Sequence, residues 1–219
     1  MSETQDFLRR VEPFKRLTDA ERVRLAVAAR MKGYAKGETI FREGDPAEAV
    51  CVVKTGRVHL MKFSDAGQAT TTCVMTAGEA FCCLPALDGK PYPVDAVAAE
   101  DSTVLRIPTR TFHEMLQRNP AVLQDALCLF CDRLRQVEHK SCAMHDPVER
   151  RLAQVLLDLT KKFGATIPLT KHELAEMAGT TVETAIRVMS HLRKSGTIKS
   201  VRGSTTVVKR AALERLAGP

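Results

Sequence analysis

Nowhere in the 219 residues does an apolar run approach the roughly 18 needed to cross a bilayer as a helix, which excludes a helical membrane protein. Met1 to Arg10 is polar and charged rather than signal-like, so no secretory leader is expected. A cytoplasmic chain is expected. The sequence also lacks a cysteine framework: its seven cysteines are odd in number and irregular in spacing. A cytosolic chain of this length needs no disulfide staples, so they are read as reduced thiols whose default role is that of small buried apolar residues. Disorder is excluded by 44% hydrophobic and 27% charged residues. The length suits two domains, each with its own core.

Charge is unevenly placed. Residues 1–146 hold 20 Lys and Arg against 20 Asp and Glu, whereas residues 147–219 hold 13 against 6, so the net +7 belongs entirely to the last third. Such concentration is the electrostatic footprint of a nucleic-acid partner. Ahead of it, Thr18 and Glu21 have capping-box spacing before Val23, Leu25 and Val27, which predicts an opening helix. Gly44, Gly56, Gly67, Gly78 and Gly89 then recur every 11 or 12 residues. They bound β-prone stretches such as Val50 to Val53, Val58 to Met61 and Thr70 to Met75, and short alternating strands at that interval predict a sandwich or roll reaching about Ile107.

From Thr111, with Glu114 as capping-box partner, the pattern turns helical. Leu127, Phe130, Leu134 and Val137 step by three and four, which is either a two-stranded coiled-coil seam flanked by Asp132, Arg133 and Arg135 or a helix packed on its own domain. Asp146-Pro147 breaks the chain into the basic part.

There, Thr170 and Glu173 form another capping box, Leu174, Met177 and Ala178 give a short helix its apolar face, and Gly179 supplies a tight turn. Thr180 or Thr181 caps a second helix that turns Val182, Ala185 and Val188 inward and presents Glu183, Thr184 and Arg187. Glu183 and Arg187 lie one turn apart. In the major groove such a pair reads bases, arginine donating to guanine O6 and N7 and glutamate accepting from cytosine N4; on a solvated face it is an ordinary i,i+4 ion pair. Beyond Gly196, the turn Arg202-Gly203-Ser204 separates Thr197 to Val201 from Thr205 to Val208, the outline of a wing. Thr170, Lys171, Thr181, Arg193, Lys194, Lys199 and Arg202 surround the reading face as phosphate contacts.

With these elements in place, nearly the whole chain resembles the cyclic-AMP-receptor and fumarate-nitrate-reduction (Crp/Fnr) family of transcription regulators. The resemblance runs from Phe41-Arg42-Glu43-Gly44-Asp45 through Ala153-Gln154 to Val182-Glu183-Thr184-Ala185-Ile186-Arg187, which matches the family's recognition-helix motif. It implies an α+β fold: a cyclic-nucleotide-binding-like β-roll as sensor over 1–110, a dimerisation helix and hinge over 111–146, and a winged helix-turn-helix over 147–219. It further implies a homodimer on an inverted-repeat DNA site, with RNA polymerase as a partner. Ile186 stands where some redox-responsive members carry serine.

Cyclic-nucleotide members use a Gly-Glu pair for the ribose and an Arg-Ser pair for the phosphate. Aligned on Gly78-Glu79 and Ala98, those pairs fall at Cys82-Cys83 and Tyr92-Pro93, neither of which pairs with a phosphate. Cyclic AMP is not expected as effector. Cys82, Cys83, Leu84, Tyr92 and Pro93, with Pro85, instead outline a soft, apolar effector pocket suited to thiol redox chemistry, a gas-sensing haem or a small organic ligand, or else they are core. No cysteine precedes Cys51, so the N-terminal iron-sulfur cluster of the fumarate-nitrate-reduction type is not expected. Cys128, Cys131, His139, Cys142 and His145 on one helix do not make a tetrahedral metal site, although a haem axial ligand from His or Cys stays open. Two other functions compete. A redox enzyme using Cys82-Cys83 would lack both Cys-x-x-Cys spacing and a His/Asp set, the two side chains pointing oppositely on a strand. A nucleotide-binding module without DNA function would leave the basic half unused. No catalytic residue is assigned.

Overall fold

The computed structural model describes residues 2–63, 69–143 and 145–218, and the side chains of all of these except 136 and 139–143. Gly67 and the side chains of His139 and Cys142 lie outside the described residues. The chain divides into two compact units, one built from residues up to Lys62 with Thr72–Gln136, the other from the remainder.

In the first unit, helices α1 (Glu3–Leu8) and α2 (Asp19–Ala28) start by the same device. Ser2 and Thr18 each accept from the backbone N–H three residues on, and Gln5 and Glu21 reach back to the cap's own N–H, so two orphan donors are satisfied together. Eight strands follow: β1 (Arg30–Tyr34), β2 (Thr39–Phe41), β3 (Ala49–Thr55), β4 (Arg57–Phe63), β5 (Ala69–Thr76), β6 (Ala80–Phe81), β7 (Asp95–Ala98) and β8 (Ser102–Pro108). They form two four-stranded sheets, ordered β1-β8-β3-β6 and β2-β7-β4-β5.

Strand β3 is covered on both faces. Cys51 and Val53 join Phe41, Val58, Leu60, Phe81, Tyr92 and Val104 in the core between the sheets. Val50 and Val52 face the other way, with Leu105 and Ile107, under a layer holding Leu8, Phe14, Leu25, Phe112 and Leu116. A strand buried on both faces needs no polar alternation, so Val50 to Val53 is an unbroken apolar run rather than the alternating pattern expected of it. Gly56 turns β3 into β4 at φ +82°.

Three expectations are corrected here. Strand β6 stops at Phe81; Cys82 takes a left-handed conformation (φ 57°, ψ 32°) and Cys83 opens helix α3 (Cys83–Asp88), so the two cysteines do not lie on a strand. Gly89 closes that helix instead of bounding a strand. Helix α4 (Thr109–Arg118) begins two residues before Thr111, behind Pro108 and without a side-chain cap. Glu114 is spent on Arg110 one turn earlier, at 3.0 Å, so the capping box read at Thr111 does not form. After Asn119, whose side-chain oxygen accepts from the Val122 N–H, the long helix α5 (Pro120–Ala143) begins. Leu127, Leu134 and Val137 are 52%, 59% and 62% exposed and Leu123 lies in line with them, but Phe130 is half-buried against the unit's own helical core. Phe130 thus leans on that core while Leu127, Leu134 and Val137 point outward.

The second unit runs through α6 (Val148–Phe163), β9 (Thr166–Ile167), α7 (Lys171–Met177), α8 (Val182–Lys194), β10 (Ile198–Val201), β11 (Ser204–Val207) and α9 (Arg210–Ala217). Pro147 stands at the N-cap of α6, where its missing N–H costs nothing. The strands pair as β10-β11-β9; the sequence reading found the first two and missed β9, whose two residues carry no strand signal of their own. Leu152, Leu156, Ile167, Leu169, Leu174, Met189, Leu192, Ile198 and Leu213 are buried.

A β-carbon added at Gly56 would lie 2.6 Å from the carbonyl oxygen of Asp101 and closer still to the Ser102 hydroxyl, on a backbone that L side chains rarely adopt. Gly56→Ala is expected to lower the unfolding free energy by about 2 to 4 kcal/mol. Gly33→Ala, on β1 with open space around it, should cost under about 1 kcal/mol. Urea denaturation of both compares them; equal midpoints would refute the packing described for this turn.

Candidate nucleic-acid interface

The reading helix is positioned by threonines. Thr170 accepts from the Glu173 N–H at 3.2 Å while Glu173 accepts from the Thr170 N–H at 2.6 Å, which fixes the start of α7. Helix α7 ends at Ala178, and Gly179, at φ +60°, allows the reversal toward α8. Of the two candidate caps it is Thr181 that starts α8, accepting from the Thr184 N–H at 3.3 Å. Ala185, Met189 and Leu192 form the buried face of α8, with Val182 and Val188 half-buried. Met189 and Leu192 were not singled out in the sequence, though they continue the three- and four-residue step from Ala185. The small Ala175 and Ala185 are both fully buried at the α7–α8 crossing.

On the opposite face Glu183 and Arg187 are exposed, and among the described residues they form no ion pair with each other or with another side chain. The i,i+4 bridge is therefore not made, and both groups keep their full hydrogen-bonding capacity for an outside partner. Thr184 is half-buried, its hydroxyl accepting from that of Thr181 at 3.1 Å, so it has less to offer. Ile186 is exposed beside them.

Around this face Thr170, Thr181, Arg193, Lys194, Lys199 and Arg202 are exposed and Lys171 is half-buried. The hairpin β10–β11 holds Arg202 and Gly203 at its tip, with Val201 opposite Ser204 in register. Lys209, overlooked in the sequence because it belongs to no motif, donates to the Ser195 carbonyl at 3.0 Å and brings a cation to the C-terminal end of α8.

Of the candidate effector residues, Cys82 and Tyr92 come together in the core between the sheets, and the others point elsewhere. Cys82 faces the core between the sheets, Cys83 the helical core, Leu84 is 55% exposed and Pro93 is exposed. Tyr92 is buried, stacked on Phe41 at 3.8 Å, donating to the Ala49 carbonyl at 2.8 Å and accepting from its N–H at 3.2 Å. Burial pushes the thiols of Cys51 and Cys83 up to about 12 and about 11, with the nearby Arg106 and Arg133 respectively pulling the other way, and it raises Cys82 and the Tyr92 phenol as well. Cys128 and Cys131 on α5 are exposed. Among the described residues no group of three or more His, Cys, Asp or Glu side chains could hold a metal ion.

Comparison with known proteins places the two halves. Residues 31–119 match the cyclic nucleotide-binding domain family and residues 150–216 the Crp-like helix-turn-helix domain family. The cyclic AMP receptor protein of Thermus thermophilus is 31% identical over 186 residues, which cover 84% of this chain and 86% of that one. The fumarate and nitrate reduction regulatory protein of Escherichia coli is 25% identical, covering 88% and 80%. The solved structure of FixK2 from Bradyrhizobium japonicum shares the fold, with a TM-score of 0.80 at 22% identity, covering 87% of this chain and 98% of that one.

At pH 8, Cys128 and Cys131 are expected to react with a disulfide reagent in the folded protein, while Cys51 and Cys83 react only on unfolding. Because folding holds these two as neutral thiols, the stability they contribute is complete below the ordinary thiol value of 9.0 and is lost as pH rises through about 11 to about 12. Thiol titration with peptide mapping checks the first statement, and chemical denaturation from pH 8 upward the second; early labelling of Cys51 would contradict both.

Proposed function

The chain belongs to the Crp/Fnr family of transcription regulators, and from that premise we propose that it works as a homodimer reading an inverted-repeat DNA site through α8, under control of an effector bound in the β-roll. Members of the family are regulators and not enzymes, so a cysteine-based catalyst is set aside, and the helix-turn-helix match leaves no room for a module without DNA function. The observation that carries the reading is the free pair Glu183 and Arg187, one turn apart on the first half of a helix whose other face is core. Arginine at this place can fork onto a guanine and glutamate can accept from a cytosine, with Thr184 as a third contact. Thr170, Lys171, Thr181, Arg193, Lys194, Lys199 and Arg202 would then meet phosphates, fixing register without specifying sequence. A dimer bound this way would act on RNA polymerase. No helix among the described residues is long and apolar enough to cross a membrane, which agrees with work in the cytoplasm.

The proposed dimer contact is the outward stripe of α5, Leu123, Leu127, Leu134 and Val137, with a second copy of the same helix as occupant. Self-pairing is favoured because an in-line apolar row on a long helix is self-complementary about a twofold axis. As effector we propose a ligand other than cyclic AMP. Tyr92 and Pro93 stand at the phosphate position; the Tyr92 hydroxyl is consumed by Ala49, and Pro93 has no N–H to give. A thiolate-held haem or iron-sulfur cluster fits poorly as well, since Cys51, Cys82 and Cys83 are neutral thiols divided between two dry cores.

Arg187→Ala is expected to cost about 1 to 3 kcal/mol on the best site and to flatten discrimination at one guanine per half-site, the half-sites being centred about 10 to 11 base pairs apart. Arg202→Ala should weaken all sequences alike and reduce the salt slope by about one ion per contact. Binding selections over a salt series compare the two; an unchanged sequence preference in Arg187→Ala would remove α8 as the reading element.

Leu134→Glu would place an unpaired carboxylate on the stripe, and monomers should predominate in sedimentation at concentrations where the wild type is dimeric. An unchanged dimer would move the contact off α5.

A further inference from the structure

On the inner face of the sheet β1-β8-β3-β6, the middle strands carry Cys51, Val53 and Val104, while the edge strand β1 carries Arg30, Lys32 and Tyr34. Arg106 on β8 shares its face with Val104 and stands directly opposite Cys51 on β3 and Arg30 on β1. Cys51 and Val104 belong to the core between the sheets, so the half-buried Arg106 side chain enters the edge of that core. Its Nη1 donates to the hydroxyl of Tyr34 at 3.2 Å, and Tyr34 itself is only 3% exposed. Over the face of the same ring sits the ammonium of the exposed Lys32, 4.6 Å from the centroid. Two cations hold one phenol.

No carboxylate joins them. Among the described residues Arg106, Lys32 and Arg30 take part in no ion pair, and the titratable groups facing Arg106 are Cys51, Tyr34 and Tyr92. Burial holds Cys51 and Tyr92 in their neutral forms. Arg30, opposite Arg106 in register but exposed, gives its guanidinium to the carbonyls of Val27 and Ala29, at 3.1 and 3.3 Å. Burial disfavours the Arg106 charge, and the hydrogen bond to Tyr34, rather than an acid, offsets it. The donors are also arranged in one direction: Tyr34 accepts from Arg106, which leaves its own O–H to give, and the free N–H groups of Arg106 and the ammonium of Lys32 add to a set with no side-chain acceptor in it.

We infer that this end of the β-roll binds a small oxyanion ligand, a carboxylate or a phosphate, held by the Arg106 fork with Lys32 as second charge and the Tyr34 hydroxyl as a directed donor. The inference rests on the reading of the β-roll as the effector-binding half and gives the effector its charge class. Carboxylate and phosphate share the required chemistry, a pair of oxygens that accept a fork of N–H groups.

Calorimetric titration of the full-length protein with inorganic phosphate and with citrate, at fixed ionic strength against a sodium chloride blank, tests it. Saturable binding of one of the two probes at one site per chain is expected, and the probe that binds identifies the class. Arg106→Gln should weaken that binding at least tenfold and Lys32→Gln about threefold. The inference fails if neither probe binds above the blank, or if the folded variants bind as the wild type does, which would put the anion on the basic second unit instead. Lys32 is exposed and its variant should fold, so Lys32→Gln decides the matter if Arg106→Gln does not fold. DNA retention measured on the same proteins separates this from the proposed function. Lost anion binding with intact DNA retention concerns the sensor alone, and absent DNA retention in the wild type concerns only α8.

Discussion

The burial of β3 on both faces is the constraint on which the first unit depends. Four consecutive residues, Val50 to Val53, are each fully buried, alternate members serving two different cores. Side chains on a strand alternate with a period of two, so a slip of one residue against β8 would exchange the two sets and send Arg106 into the helical layer in place of Leu105 and Ile107. The register that keeps valines on both sides therefore also decides that a cation faces the inner core and that Cys51 is dry. Packing, thiol chemistry and the placement of charge follow from one pairing.

In the second unit the corresponding role falls to short-range hydrogen bonds. Thr170 and Thr181 fix where α7 and α8 begin, and the buried row Ala185, Met189 and Leu192 fixes how α8 is rotated. Given that rotation, Glu183 and Arg187 have no choice but to face outward. The basic side chains around them outnumber the acids, in keeping with the 13 cations against 6 acids of this region. An isolated surface of that sign is well solvated alone and better neutralised by a polyanion.

The features legible in the sequence are those whose cause lies within a few residues. The capping boxes at Thr18 and Thr170, the turn at Gly179 and the face of α8 all rest on contacts three or four positions apart. The same reasoning misplaced Thr111, where Pro108 set the helix start and Arg110 captured Glu114, because two local signals competed and spacing alone does not rank them. Cys82 and Cys83 misled for a related reason: a non-glycine residue in the left-handed region gives no sign of itself in sequence. Phe130 has seam spacing yet lies half-buried on its own core, and the cluster of Tyr34, Cys51 and Arg106 needs three strands brought together from distant stretches of chain. No periodicity within one strand announces such an assembly.

The row Leu123, Leu127, Leu134 and Val137 has a consequence for partner choice. Helical pairs gain selectivity from a buried polar residue in the row or from charges on its flanks that reach across to the partner. The described members of this row are apolar, and beside it Asp132 and Arg135 satisfy each other at 2.7 Å along their own helix. Attraction of this kind is strong in grip and poor in discrimination. On the pairing proposed above, a cell holding several regulators with similar long helices would have to prevent mixed dimers by expression, abundance or assembly during synthesis, because the described part of this row supplies little that would reject a cousin.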